Sequence, residues 1–285
     1  MKTIVLSCLA VLLLASGTAC SKRPVTSAEV VAAASPALPQ DPGDSRWNRA
    51  PEFSGALLLQ DLVEPRLMTP STAQIRVRAL TDGTNLAFRL QWVDPTLDDA
   101  AAPSRFPDGC AVQLPRDVAG ETPAPQMGEP GRPVEITFWR ADWQAAVNGR
   151  ADDIQSLYPN ASVDHYPFQA PAAEPGSAAQ QAMARRYAPA DAAGNRRVGP
   201  RKSPVEDLVA QGPGTLTPAG QSRSSGRGIR SRDGWLVVIT RPLPAGLTSG
   251  KRTQVAFAIW EGSHGEAGAR KMRTGWVPLL RQSGL

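Results

Sequence analysis

The sequence predicts an all-β fold: an antiparallel β-sandwich of roughly eight to ten strands, with long loops and at most short helices. Three observations point there. Short runs alternate apolar and polar residues, the two-residue period of a half-buried strand. Proline and glycine, 27 and 25 of 285 residues, bound those runs as turn formers. No long stretch repeats apolar residues at helical spacing.

The clearest element is a hairpin. QIRVRAL puts Ile75, Val77 and Ala79 on one face, and NLAFRLQWVD puts Leu86, Phe88, Leu90 and Trp92 on one face. TDGTN joins them with an Asp-Gly pair, which suits a tight turn. Further strands are expected at CAVQLP, VEITFWRADW, GWLVVITRPL and TQVAFAIWEG. Gln169–Pro204 has little strand pattern. A short helix is expected within GSAAQQAMARRY, and the rest reads as a cover over a ligand or partner surface, or as an unordered insertion.

Residues 1–19 read as a signal peptide. Lys2 supplies the positive end, and Ile4–Ala15 is apolar but shorter than the roughly 20 residues that cross a bilayer. GTAC resembles a lipobox, so Cys20 is the expected lipidation site, with plain cleavage after Ala19 as the alternative. Residues 20–42, rich in Ala, Pro and Ser, read as anchor and tether. Residues 43–285 read as the folded domain. Once Cys8 leaves with the signal and Cys20 is terminal, Cys110 alone remains. That excludes an internal disulfide framework and an all-thiolate metal site. Cys110 is expected as a small buried strand residue.

The net charge is +5, and the basic residues are scattered. Without a basic stripe, no nucleic-acid partner is expected. The two histidines, His165 and His264, belong to no zinc-protease motif, and nucleophile-elbow and phosphate-loop motifs are lacking. Asp98-Asp99 and Asp152-Asp153 read as solvated loop acids. No catalytic residue is expected, and the chain reads as no enzyme by itself.

Two loops stand out. PQMGEP places Met127 on the lip of a strand, although core methionines usually fill gaps inside helices or strands. FAIWEGSHGEAGARKMRTGWVPL carries His264, Arg270, Lys271 and Met272 between two strands. These segments, with RLQWVD, DGCAVQLP, SPVEDLVAQGPGTLT and DGWLVVITRPL, occur in an order that resembles one family over about Trp47 to Val277. It is the haem b-binding γ subunits of type II DMSO-reductase-family molybdoenzymes, such as ethylbenzene and dimethylsulfide dehydrogenases and selenate and chlorate reductases.

The resemblance implies a β-sandwich that holds one haem b between Met127 and Lys271. His264 is the runner-up ligand, because related haem sandwiches pair Met with His; Met272, Met68 and Met183 are weaker candidates. Trp139 and Trp260 are expected to wall the pocket, with core packing as their alternative role. Pro125 and Pro130 would stiffen the methionine loop, and Gly128 would let backbone approach the porphyrin. Pro213–Thr215 departs from the family's more aromatic version. The implied protein is periplasmic and relays single electrons beside an Fe–S β subunit and a molybdopterin α subunit. The alternatives are a non-haem sandwich that binds carbohydrate and a stand-alone haem b carrier.

Overall fold

The computed structural model describes residues 27–151, 158–161, 174–187 and 201–283. Residues 1–19, read as the signal peptide, Cys20, Asp152-Asp153, His165 and half of Gln169–Pro204 lie outside the described residues. In chain order the elements are β1 (Val30–Ala34), β2 (Phe53–Ala56), β3 (Leu58–Leu59), β4 (Gln74–Thr81), β5 (Asn85–Val93), β6 (Gly109–Pro115), β7 (Val134–Arg140) and α1 (Ala141–Val147). There follow α2 (Ala178–Tyr187), β8 (Val205–Ala210), β9 (Thr217–Pro218), β10 (Ser225–Arg230), β11 (Gly234–Pro242), β12 (Arg252–Trp260), β13 (Met272–Arg273) and β14 (Val277–Arg281).

The strands run in the order β10-β11-β5-β4-β1-β14-β12-β6-β7-β8-β9. The path folds into two layers at β12, whose residues Arg252–Val255 pair with β14 and whose residues Ala256–Trp260 pair with β6. The expected hairpin is β4–β5, antiparallel with Val77 opposite Leu90 and Ala79 opposite Phe88. Inward residues of both layers make one core. Phe88 meets Phe257 edge-on at 6.2 Å, and Trp139 meets Trp92 at 6.4 Å and Trp235 at 5.0 Å. Such edge-to-face pairs add to the apolar area they bury. Cys110 lies fully buried in this core, as expected of it.

The sandwich departs from expectation in three places. Segment 20–42, read as a tether, contributes β1, which lies between β4 and β14 and runs parallel to both. The sheet is therefore mixed rather than purely antiparallel. Val30 and Ala32 are buried on this strand, which is why an Ala-rich run orders here. The strand expected to run through VEITFWRADW ends at Arg140, and the chain turns into α1. Finally, fourteen strands form among the described residues, more than the eight to ten expected; β3, β9 and β13 are two-residue pairings. The short helix expected in GSAAQQAMARRY is α2.

Candidate functional site

In most half-buried strands the outward positions are polar, as Arg89 and Gln91 are on β5. The second layer breaks that rule. On β12 the inward Val255, Phe257 and Ile259 alternate with outward Ala256, Ala258 and Trp260. Outward Ala111 of β6, Ile136 and Phe138 of β7 and Leu208 of β8 continue this second apolar face. The small alanines leave room, and surrounding loops close over them to form a cavity of about 570 Å³. That is within the roughly 300–1,000 Å³ of small-molecule and cofactor sites.

Met127 lines this cavity. Its backbone is left-handed, φ 67°, a conformation that costs a side-chain-bearing residue about 1 kcal/mol or more. Neighbouring bonds hold it there. Met127 O accepts the Gly212 N–H at 2.8 Å, Gly128 N donates to Ala124 O, and Gln113 Nε2 donates to Pro125 O. Trp276 Nε1 donates to Pro123 O at 2.6 Å, which anchors the start of the loop. Gly128 has a different role from the one expected. A Cβ there would sit 2.9 Å from Arg132 O and 3.1 Å from Ala210 O, so the glycine permits close approach of protein backbone, and it does not line the cavity.

Lys271 lines the same cavity, and its Nζ lies 5.5 Å from the centre of the Trp260 ring. It has no ion pair or hydrogen bond among the described residues. Burial, aided by repulsion from Arg273, pushes its pKa down to about 8. Arg273, two residues on, also lines the cavity, and its buried Nε has no partner. Trp260 holds its place by donating from Nε1 to Gly268 O and by packing edge-on against Phe138 at 4.9 Å.

The other candidates fall elsewhere. Trp139 is fully buried between the layers, so of its two expected roles core packing is the one found; its neighbour Phe138 faces the cavity. Met272 is 2 % exposed and points into the core, opposite in alternation to Lys271 and Arg273. His264 stands outside the cavity, half exposed, with Nδ1 2.8 Å from Glu261 Oε2. Met68 is 66 % exposed and Met183 is on α2; neither lines the cavity. Pro213 and Gly214 do line it. Asp99 pairs with Arg150 at 2.8 Å rather than standing free in solvent.

The sequence reading missed Arg273 and the apolar floor. The signal for the floor was present: TQVAFAIW is apolar on both faces, which a one-sided strand has no reason to be. The site thus offers a thioether, an amine that deprotonates readily and a guanidinium whose Nε has no partner among the described residues, around an apolar chamber. That donor set suits a metal-bearing, largely apolar cofactor with anionic arms.

The chain is similar along 95% of its length to a protein of Haloferax mediterranei provisionally named respiratory nitrate reductase heme subunit ORF7, with 25% identity over 79% of that protein. It is 31% identical to the dimethylsulfide dehydrogenase subunit gamma of Rhodovulum sulfidophilum over 36% of this chain and 41% of that one. The chlorate reductase subunit gamma of Ideonella dechloratans is 24% identical over 80% of this chain and 73% of that one. A solved carbohydrate binding module of family 9 from Caldicellulosiruptor kristjanssonii, in complex with glucose, superposes at a TM-score of 0.38 with 11% identity, covering 90% of this chain and 96% of that one. The ethylbenzene dehydrogenase family model matches residues 44–272, a span that holds Met127, Lys271 and every strand of the cavity floor, and the chain belongs to that family.

Proposed function

We propose that this chain is the haem b-binding γ subunit of a molybdoenzyme complex, relaying single electrons to or from an Fe–S subunit without transforming a substrate itself. The observation that carries this reading is that Met127 and Lys271, ligands implied by two separate loops, line one apolar cavity. The relatives support the coarser part, since their names describe a heme subunit and gamma subunits of oxidoreductases.

Bound haem b would supply a one-electron couple. Met127 offers a soft, neutral sulfur, which favours the ferrous state. Lys271 can bind iron only as a neutral amine, and the burial that lowers its pKa favours that form. Arg273 is placed to meet a carboxylate arm, which would give its orphaned Nε a partner. The alanine, isoleucine and phenylalanine side chains of the floor would exclude water from the ring. Export to the periplasm, with a lipid on Cys20, completes the proposal and rests on the leader sequence.

The test is a reduced-minus-oxidised spectrum of protein purified from cells that make haem. A Soret band with sharp α and β bands on reduction is expected. Protein that stays colourless after incubation with haemin would end the haem reading.

A further inference from the structure

Three strand ends from both layers meet at one place outside the cavity lining. Asp94 follows β5, Asp108 precedes β6 and Glu261 follows β12. All three are buried, and their ligand atoms lie within 4.8 Å of one another. Thr96 Oγ1 bridges two of them, at 3.3 Å from both Asp94 Oδ1 and Glu261 Oε1. Asp108 is tied on the other side by N–H groups of Gly262, Trp235 and Asp98.

Such a cluster is costly. Carboxylates removed from water repel one another unless a proton or a cation joins them. Two basic groups are near: Arg230, with Nη1 3.7 Å from Asp94 Oδ1, and His264, with Nδ1 2.8 Å from Glu261 Oε2. Two single charges do not balance three acids. The clearest sign is an orphan. Asp94 is completely closed off from solvent, yet its Oδ2 accepts no hydrogen bond. Asp98, whose N–H donates to Asp108, also keeps a buried Oδ2 without a partner.

We propose that Asp94, Asp108 and Glu261 bind a calcium ion that clamps the ends of β5, β6 and β12. The donors are all oxygen, which selects a hard cation over zinc or copper. Calcium takes six to eight oxygens at about 2.3–2.6 Å in an adaptable shell, whereas magnesium demands a near-ideal octahedron. Thr96 Oγ1 is a further oxygen within reach of the cluster. The clamp would fix the base of the loop that runs from Glu261 to Lys271, and it stands whether or not the cavity holds haem.

Equilibrium dialysis of the full chain against radioactive calcium, after stripping with EDTA, tests this. One ion per chain is expected. The melting temperature should rise by about 5–10 °C when calcium exceeds its dissociation constant about 100-fold. Asp94→Asn and Glu261→Gln should each bind at least about tenfold more weakly and lose most of that rise; the pair guards against one variant failing to fold. Folded protein that binds no calcium overturns the proposal. So do variants that bind as the wild type does, since the ion would then lie elsewhere.

Discussion

Lys271 and Trp260 face each other inside the cavity, Nζ 5.5 Å from the ring centre, and the lysine makes no ion pair with any described residue. A proton on that nitrogen is therefore poorly solvated. The folded pKa is about 8, against an ordinary value of 10.5, through burial first and Arg273 second. Below about 8 the folded and unfolded chains both hold the proton, and the full penalty is present. Between about 8 and 10.5 only the unfolded chain still holds it, so stability rises with pH through this window. The haem-free wild type should gain stability relative to Lys271→Met across that range, read by urea unfolding at a series of pH values. Parallel curves would show the amine to be well solvated.

With cofactor bound, Met127→Ala should lower the reduction potential or weaken binding by at least about tenfold, a size typical of disrupting a metal site. Lys271→Ala should open a position that added imidazole can take. Acid should release the lysine and move the spectrum toward high spin, while Met127 has no proton to gain. If His264→Ala abolishes the low-spin spectrum and Lys271→Ala leaves it intact, the second ligand is His264.

Trp139→Ala and Trp260→Ala should separate core from cavity. Trp139 is fully buried in the inter-layer core, and Gly228 is cut back to fit it: a Cβ there would lie 2.2 Å from its ring. Its loss should cost about 3–5 kcal/mol of unfolding free energy. Trp260→Ala should cost less and enlarge the cavity, loosening the cofactor. Equal costs, measured by denaturant unfolding, would contradict this division.

The sequence made the hairpin and the middle strands legible because β4, β5 and β12 carry apolar residues at alternate positions on the core side, and β7 carries Val134, Ile136 and Phe138 at alternate positions on the cavity side. β1 hid because VVAAA in a parallel, enclosed position needs no alternation and sits in a Pro/Ala-rich stretch. β10 hid because SGRGIR carries Gly228, which makes room for Trp139, and Gly226, which makes room for Val205, and glycine reads as a turn. Met127 and Lys271 were legible only through the family resemblance. The left-handed backbone of Met127 depends on its bond to Gly212, some eighty residues on, which no local pattern encodes.

Deleting residues 1–34 should destabilise the sandwich, whereas deleting residues 1–26 should leave its melting temperature within about 2 °C. The first deletion removes Val30, Ala32 and Ala33 from the core and uncovers edges of β4 and β14. Circular dichroism melts of the two shortened chains check this; equal melting temperatures would make β1 dispensable.

Cys20→Ser should move the protein from the membrane to the soluble fraction of the producing cell, if lipid is what holds it there. Unchanged fractionation would remove the lipobox from the account.

The position of β1 also governs when folding can finish. It is the first strand described, yet one of its two partners is β14, the last. A ribosome must release nearly the whole chain before Val30 can pair with Leu279. Until then β1 can pair only with β4, and its other edge stays open. Contacts so distant in sequence close slowly, so the seam between β1 and β14 is the last part of the sheet that synthesis allows to close.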